Sequence, residues 1–142
     1  MRFRVAVIGV LLLAIPLGMT KAVPAQTARR VIEVTMSEYK YEPNQIRFNE
    51  GETVVLKLTN TGPRFVHNMS SRFWLDINLT VRGDGRQGIS EDRKWIALDP
   101  GKSAEVEFVA KGRGSFAILC SIFDHASRGH TGAFFVQAAG SP

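Results

Sequence analysis

An all-β sandwich or barrel of antiparallel strands is the fold this sequence predicts. Three observations carry the prediction. Apolar and polar residues alternate over short runs, clusters of Gly, Pro, Asn and Asp separate those runs, and no segment has a convincing amphipathic helical period. The nine Phe, with many Val, Ile and Thr, lean the same way, because aromatic and β-branched side chains pack well on a pleated surface.

The strands follow in order. Ile32, Val34 and Met36 alternate with Val31, Glu33 and Thr35. Ile46 and Phe48 alternate with Arg47 and Asn49, and Asn49-Glu50-Gly51 turns the chain into Val54, Leu56 and Leu58. Asn60-Thr61-Gly62-Pro63 breaks it again just before His67. Phe73, Leu75, Ile77, Leu79 and Val81 form the longest alternating stretch and predict a long strand with Asp76, Asn78 and Thr80 outward. Gly83, Gly85 and Gly88 predict a glycine-rich loop, whose neighbours Arg82, Arg86, Arg93 and Lys94 read as a solvated basic cluster. After the turn at Asp99-Pro100-Gly101, Ala104, Val106 and Phe108 alternate with Glu105 and Glu107. Phe116, Ile118 and Cys120 share one face of the next strand, and Ala133 to Gln137 form the last, with Phe134 and Val136 inward. Trp74 and Trp95 read as packing residues. The sequons at Asn68-Met69-Ser70 and Asn78-Leu79-Thr80 are weak signals.

The N-terminus has a different character. Arg2 and Arg4 precede an apolar run from Val5 to Met19, and Val23-Pro24-Ala25 supplies small residues at cleavage spacing. The run is shorter than the ~20 residues a spanning helix needs. Residues 1–25 are therefore expected to be a signal peptide cut after Ala25, leaving one domain over residues 26–142 that is exported, to a periplasm or its equivalent, and is not held in the membrane. The leader holds Arg2, Arg4 and Lys21 and no acid, so 15 basic residues then face 13 acidic ones, and the formal charge falls from +5 to +2. So mild a charge argues against nucleic acid or an anionic membrane as partner.

Exported proteins use cysteines mostly in pairs, and this chain has one, Cys120. Cys120, His125 and His130 stand at C-x4-H-x4-H spacing across the connection between two predicted strands, so a single loop can aim all three at one point. His67 follows a strand and a Gly-Pro break, where a second loop can supply a fourth donor. The three histidines and one cysteine of the chain thus all fall in two segments. Singly, each has a plain explanation: Cys120 as core packing, the histidines as loop residues. Jointly they form a thiolate–imidazole set suited to copper or zinc, which accept both donor types.

These residues lie within a wider pattern that resembles the cupredoxin family of plastocyanin, pseudoazurin and rusticyanin. The matching features are Tyr41-Glu42-Pro43-Asn44-Gln45-Ile46, Val54 to Asn60 leading to His67-Asn68, Pro100-Gly101 before Ala104 to Val109, and Gly114 to Cys120. They end with His125 and Gly129-His130-Thr131-Gly132-Ala133-Phe134-Phe135-Val136. The resemblance implies a cupredoxin-like Greek-key β-sandwich or barrel and one copper ion cycling between Cu(I) and Cu(II). It implies His67, Cys120 and His125 as strong ligands, with Asn68 bracing the ligand loops. A backbone N–H of Asn68 or Ser121 would donate to the Cys120 sulfur. The departure is His130, where the family usually has a weak axial methionine. Met36 and Met69 lie elsewhere, and none follows His130. An imidazole there favours Cu(II), lowers the reduction potential and makes a zinc-like site conceivable; turned outward, it would leave an open coordination position.

The leading expectation is one-electron transfer to a redox partner protein. The alternative is copper delivery, storage or sensing with a copper-accepting partner. A small-molecule copper enzyme and a metal-free adhesive module are weaker readings. Asp124 either orients His125 or presents charge to a partner.

Overall fold

The structure is a computed structural model, and it describes residues 29–141. The leader expected over residues 1–25, with its cut after Ala25, lies outside them. Eleven strands fill the described chain: β1 (Arg29–Ser37), β2 (Lys40–Glu42), β3 (Gln45–Asn49), β4 (Thr53–Asn60), β5 (His67–Ser71), β6 (Thr80–Gly83), β7 (Arg86–Ser90), β8 (Arg93–Leu98), β9 (Ser103–Val109), β10 (Gly114–Leu119) and β11 (Thr131–Gln137). They form two facing sheets, one ordered β2-β1-β4-β9-β6 and the other β3-β11-β10-β5-β8-β7. Among the described residues no helix is long and apolar enough to cross a membrane.

The period-two residues meet between the sheets. Val34 and Met36 of β1, Val54, Leu56 and Leu58 of β4 and Ala104, Val106 and Phe108 of β9 face Ile46 and Phe48 of β3, Ile118 of β10 and Phe134 and Val136 of β11 in one core. Phe48 sits at its centre, its ring 5.5–5.7 Å from those of Phe73, Phe108 and Phe134. Those separations are within the range of favourable tilted and edge-on aromatic pairs.

The sheets are mixed, not antiparallel throughout as the sequence predicts. β1 runs parallel to β4, and β3 parallel to β11. The strand that follows the β1–β2 hairpin, β3, joins the opposite sheet, so the chain re-enters the first sheet at β4 in its original direction.

Two further expectations are corrected. The stretch from Phe73 to Val81 is not one strand: Arg72–Trp74 form a 3₁₀ turn, and pairing resumes only at Thr80. The Ser71 hydroxyl accepts from Phe73 N at 3.2 Å, and Leu75 N and Ile77 N donate back to the Arg72 and Trp74 carbonyls. A serine cap and local turns thus satisfy the backbone without a ladder. Phe73, Trp74 and Ile77 enter the core on one turn-like face, which an alternating pattern cannot distinguish from a strand. The glycine-rich loop, conversely, contains β7. Gly88 pairs directly with Trp95 of β8, whose ring occupies the space a Cβ would need. That glycine marks close packing, not a loop. Its basic neighbours lie at the surface, where Arg82 pairs with Glu107, Arg86 with Asp99 and Arg93 with Asp92, and Lys94 donates to the Ile77 carbonyl.

Gly132 shows how tightly β11 is seated. A Cβ there would collide with the backbone carbonyl of Asn44, which accepts the neighbouring Ala133 N–H. Gly132→Ala is expected to lower stability by about 1–3 kcal/mol, as overpacked sites do. The denaturant midpoint measures it, and an unchanged midpoint contradicts the β3–β11 seating described here.

Candidate metal centre

The four residues singled out in the sequence come from two segments of the chain and meet at one end of the sandwich. His67 is the first residue of β5, Cys120 immediately follows β10, and His130 immediately precedes β11. His125 lies between the last two, in a series of tight turns. His125 N donates to Ile122 O, Gly129 N to Ala126 O and His130 N to His125 O, each at 3.0 Å. Cys120 N donates to His130 O at 3.0 Å and closes the base of the loop. One ligand atom from each residue lies within 4.8 Å of the others, and the side chains are buried, at 0–3% exposure.

β5 is a strand the sequence did not reveal. His67-Asn68-Met69-Ser70-Ser71 is polar and lacks alternation, yet every residue in it is buried. Asn68 shows why. Its backbone N–H points at Cys120 Sγ at 3.4 Å, its side-chain oxygen accepts Ser121 N at 2.8 Å, and its amide donates to Ser121 Oγ at 2.8 Å. Its carbonyl accepts the Tyr41 hydroxyl at 2.6 Å. The bracing expected of Asn68 is present. The sulfur's backbone donors are Asn68 and Ile122 rather than Ser121, whose N–H is used by Asn68 itself. Buried on these bonds, Asn68 has no exposed amide for its sequon.

The donor separations can be compared with those a bound ion requires. His67 Nδ1 and His125 Nδ1 lie 3.2 Å apart, and Cys120 Sγ lies 3.5 Å from His125 Nδ1. With metal–N bonds of about 2.0–2.1 Å and metal–S of about 2.3 Å, tetrahedral edges are about 3.3 Å between nitrogens and about 3.6 Å between sulfur and nitrogen. Both nitrogens of His130 and Nε2 of His67 are buried without a hydrogen-bond partner. Buried nitrogens rarely stay so, and a metal would take up a lone pair that nothing else here uses. The donor set therefore fits a borderline-soft ion.

Electrostatics point the same way. Burial first, then the neighbouring His67 and His125, push the His130 pKa down to about 3, so its imidazole is neutral. His67 is lowered by burial and His125, against an opposing pull from Glu38. Burial raises the Cys120 thiol pKa, while backbone N–H groups of Asn68 and Ile122 favour the thiolate. His67 and His130 are thus ready to coordinate, and the Cys120 thiolate is favoured by a cation beside it.

Several surrounding residues were not identified from the sequence as site residues. Tyr41 lays its ring 4.2 Å from that of His130. Tyr39 and Phe65 meet His125 edge-on at 5.3 and 5.6 Å. Asp124 pairs with Arg128 at 2.7 Å, which lowers its pKa, and Arg128 in turn donates to the Tyr39 hydroxyl. Asp124 therefore braces the loop through Arg128 and does not orient His125.

Comparison with known proteins agrees with this architecture. No curated protein sequence matches the chain. Solved structures do match in fold. Na-dithionite reduced auracyanin from the photosynthetic bacterium Roseiflexus castenholzii shares 20% identity at a TM-score of 0.57, over 75% of this chain and 96% of that one. Auracyanin A, a "blue" copper protein from Chloroflexus aurantiacus, shares 14% at 0.59, over 78% and 100%. A multi-copper oxidase from Pediococcus acidilactici shares 16% at 0.61, over 93% of this chain but only 31% of that one. The family model for a cupredoxin-like domain matches residues 8–131, most of the sequence. The chain belongs to the cupredoxin-like family.

Proposed function

We propose that this protein is an exported one-electron carrier built on a single copper ion, with His67, Cys120, His125 and His130 as its ligands. The observation that carries the reading is the buried set of three imidazoles and one thiol, whose closest donors stand 3.2 and 3.5 Å apart. When bound, copper supplies a Cu(I)/Cu(II) couple through which one electron enters and leaves. The auracyanins that share the fold, one of them described as a "blue" copper protein, favour the same metal.

The chain's own residues supply rigidity. Asn68 ties β5 to the Cys120 loop, and Cys120 N–H to His130 O fixes the width of that loop. Donors held this way keep nearly one arrangement in both oxidation states, which favours rapid exchange with a redox partner. His125 alone of the four has measurable exposure, 3%, so the shortest route to a partner runs through its ring. Export, with cleavage after Ala25, accords with the leader pattern and the unpaired cysteine.

The imidazole at position 130 favours a second reading, copper delivery or storage, because it strengthens Cu(II) binding. An enzyme is disfavoured, since all four donors are packed among side chains and a substrate would have to displace them.

Two measurements follow. Copper-loaded protein is expected to show an intense thiolate-to-copper absorption band and a reversible one-electron couple. His130→Met is expected to shift the band and raise the potential by at least about 59 mV, a tenfold change in relative Cu(I) preference. Colourless copper-loaded protein without a reversible couple overturns electron transfer, and an unchanged spectrum in His130→Met removes His130 from the ligand set.

Metal-free protein is expected to lose stability as pH falls from about 6.5 towards 3. In that window unfolded chains bind a proton on His130 that the folded protein refuses, so acid favours unfolding by about 1.4 kcal/mol per pH unit. Urea midpoints between pH 7 and pH 4 measure the slope. His130→Met should flatten it, and an equal slope in both proteins contradicts the buried, neutral His130.

A further inference from the structure

Glu38 opens the two-residue turn between β1 and β2, where Ser37 pairs with Lys40. Its Oε1 is buried and has no hydrogen-bond partner, and the same is true of His67 Nε2. The two atoms converge on Gly62. A Cβ built there would lie 3.0 Å from Glu38 Oε1 and 3.1 Å from His67 Nε2, so the bare backbone of Gly62 gives both groups room on the same side.

The assignment of the proton follows from which nitrogen faces the site. His67 Nδ1 faces His125 Nδ1 at 3.2 Å, so Nε2 is the nitrogen turned away from the donor cluster. A neutral imidazole that offers the Nδ1 lone pair carries its proton on Nε2. That buried N–H needs an acceptor. Asn60 Oδ1 is also near, 3.2 Å from the same Cβ position, but it already accepts Gly62 N at 3.0 Å. The Asn60 amide is committed to the Phe65 and Leu98 carbonyls. The Glu38 oxygen is the acceptor with nothing to accept.

We propose that Glu38 is a positioning residue for the metal centre: its carboxylate accepts the Nε2 proton of His67, directly or through one water, and holds that ring with Nδ1 toward the other donors. The proposal rests on the reading of the four donors as a copper site. A carboxylate on the far side of a ligand imidazole orients the ring and raises its basicity, which favours Cu(II) over Cu(I). Its influence on His67 already opposes the lowering of the pKa by burial and by His125.

The test uses Glu38→Gln and Glu38→Ala in the full chain. In metal-free protein, nitrogen-15 NMR of His67 should show a protected Nε2–H. Glu38→Gln should shift it and Glu38→Ala should expose it to exchange. In copper-loaded protein, Glu38→Gln, which keeps an acceptor but removes the charge, should weaken Cu(II) binding about 10- to 100-fold. It should raise the potential by about 59 mV for each tenfold change in relative affinity. If Glu38→Ala does not fold, Glu38→Gln carries both readouts. An unchanged Nε2–H and an unchanged potential overturn the proposal and leave Asn60 Oδ1 as the acceptor. Should wild-type protein fail to bind copper, the copper reading falls, while the metal-free NMR comparison still decides whether Glu38 holds His67.

Discussion

Asn68 is the joint on which the site depends. Its backbone and side chain together make four contacts, to Cys120 Sγ, to Ser121 twice, and from Tyr41. Each contact leads to a different requirement. The sulfur needs a donor that does not protonate it, the ligand loop needs a fixed distance from β5, and β2 must be drawn over the same end so that Tyr41 reaches His130. A buried amide with every group bonded is rigid, because losing any one partner leaves a polar atom stranded away from water. One side chain thereby converts two sheets and a loop into a single frame around the donors. The ladder between β10 and β5 has only one paired position, Leu119 with Ser70, so Asn68 supplies the lateral tie that backbone pairing barely provides there.

That frame acts against a cost. Four donors aimed at one buried point cannot hydrogen-bond one another well, since a lone pair facing a lone pair repels. Burial first, and then the neighbouring imidazoles, lower the His67 and His130 pKa values, and both nitrogens of His130 are left without partners. The core resists relaxation: Phe48, Phe73, Trp74, Phe108 and Phe134 interlock beneath the site, and close-packed interiors transmit strain instead of absorbing it. The arrangement is one a cation would relieve without rearranging the protein, which is what low reorganisation on electron exchange demands.

Much of the fold was legible in the alternating strands, because β1, β3 and β9 bury one face and leave the other more open, and β4 and β11 bury one face more deeply than the other. The loop from Cys120 to His130 was legible because its donors lie close in sequence, and His67 because the chain has so few donors to choose from. What escaped notice has a common cause. β5 is stabilised by Asn68 and by burial on both faces, so its residues show no period. The stretch from Phe73 follows a serine cap that no alternation rule registers. Gly88 was misread because the ring that replaces its missing side chain, Trp95, comes from the next strand. Glu38 and Tyr39 reach the site through a turn far from every ligand in sequence, and only three-dimensional pairing brings them there.

Position 130 is where chemistry and packing have to agree. A histidine free to swing outward would leave an open coordination position, yet this ring is fully buried, 4.2 Å from Tyr41 and 4.7 Å from His67. Its backbone is clamped on both sides, N–H to His125 O and carbonyl to Cys120 N. Turning outward would break the packing with Tyr41, whose hydroxyl also holds the Asn68 carbonyl, so the bracing of the sulfur loop would loosen with it. The inward position of His130 is therefore enforced by the same network that places Cys120. An imidazole held this firmly is a stronger donor than the thioether usual in the family, and its strength comes from the frame as much as from the nitrogen. Under the proposed copper reading, a centre built this way would trade reduction potential for a tighter hold on the oxidised ion.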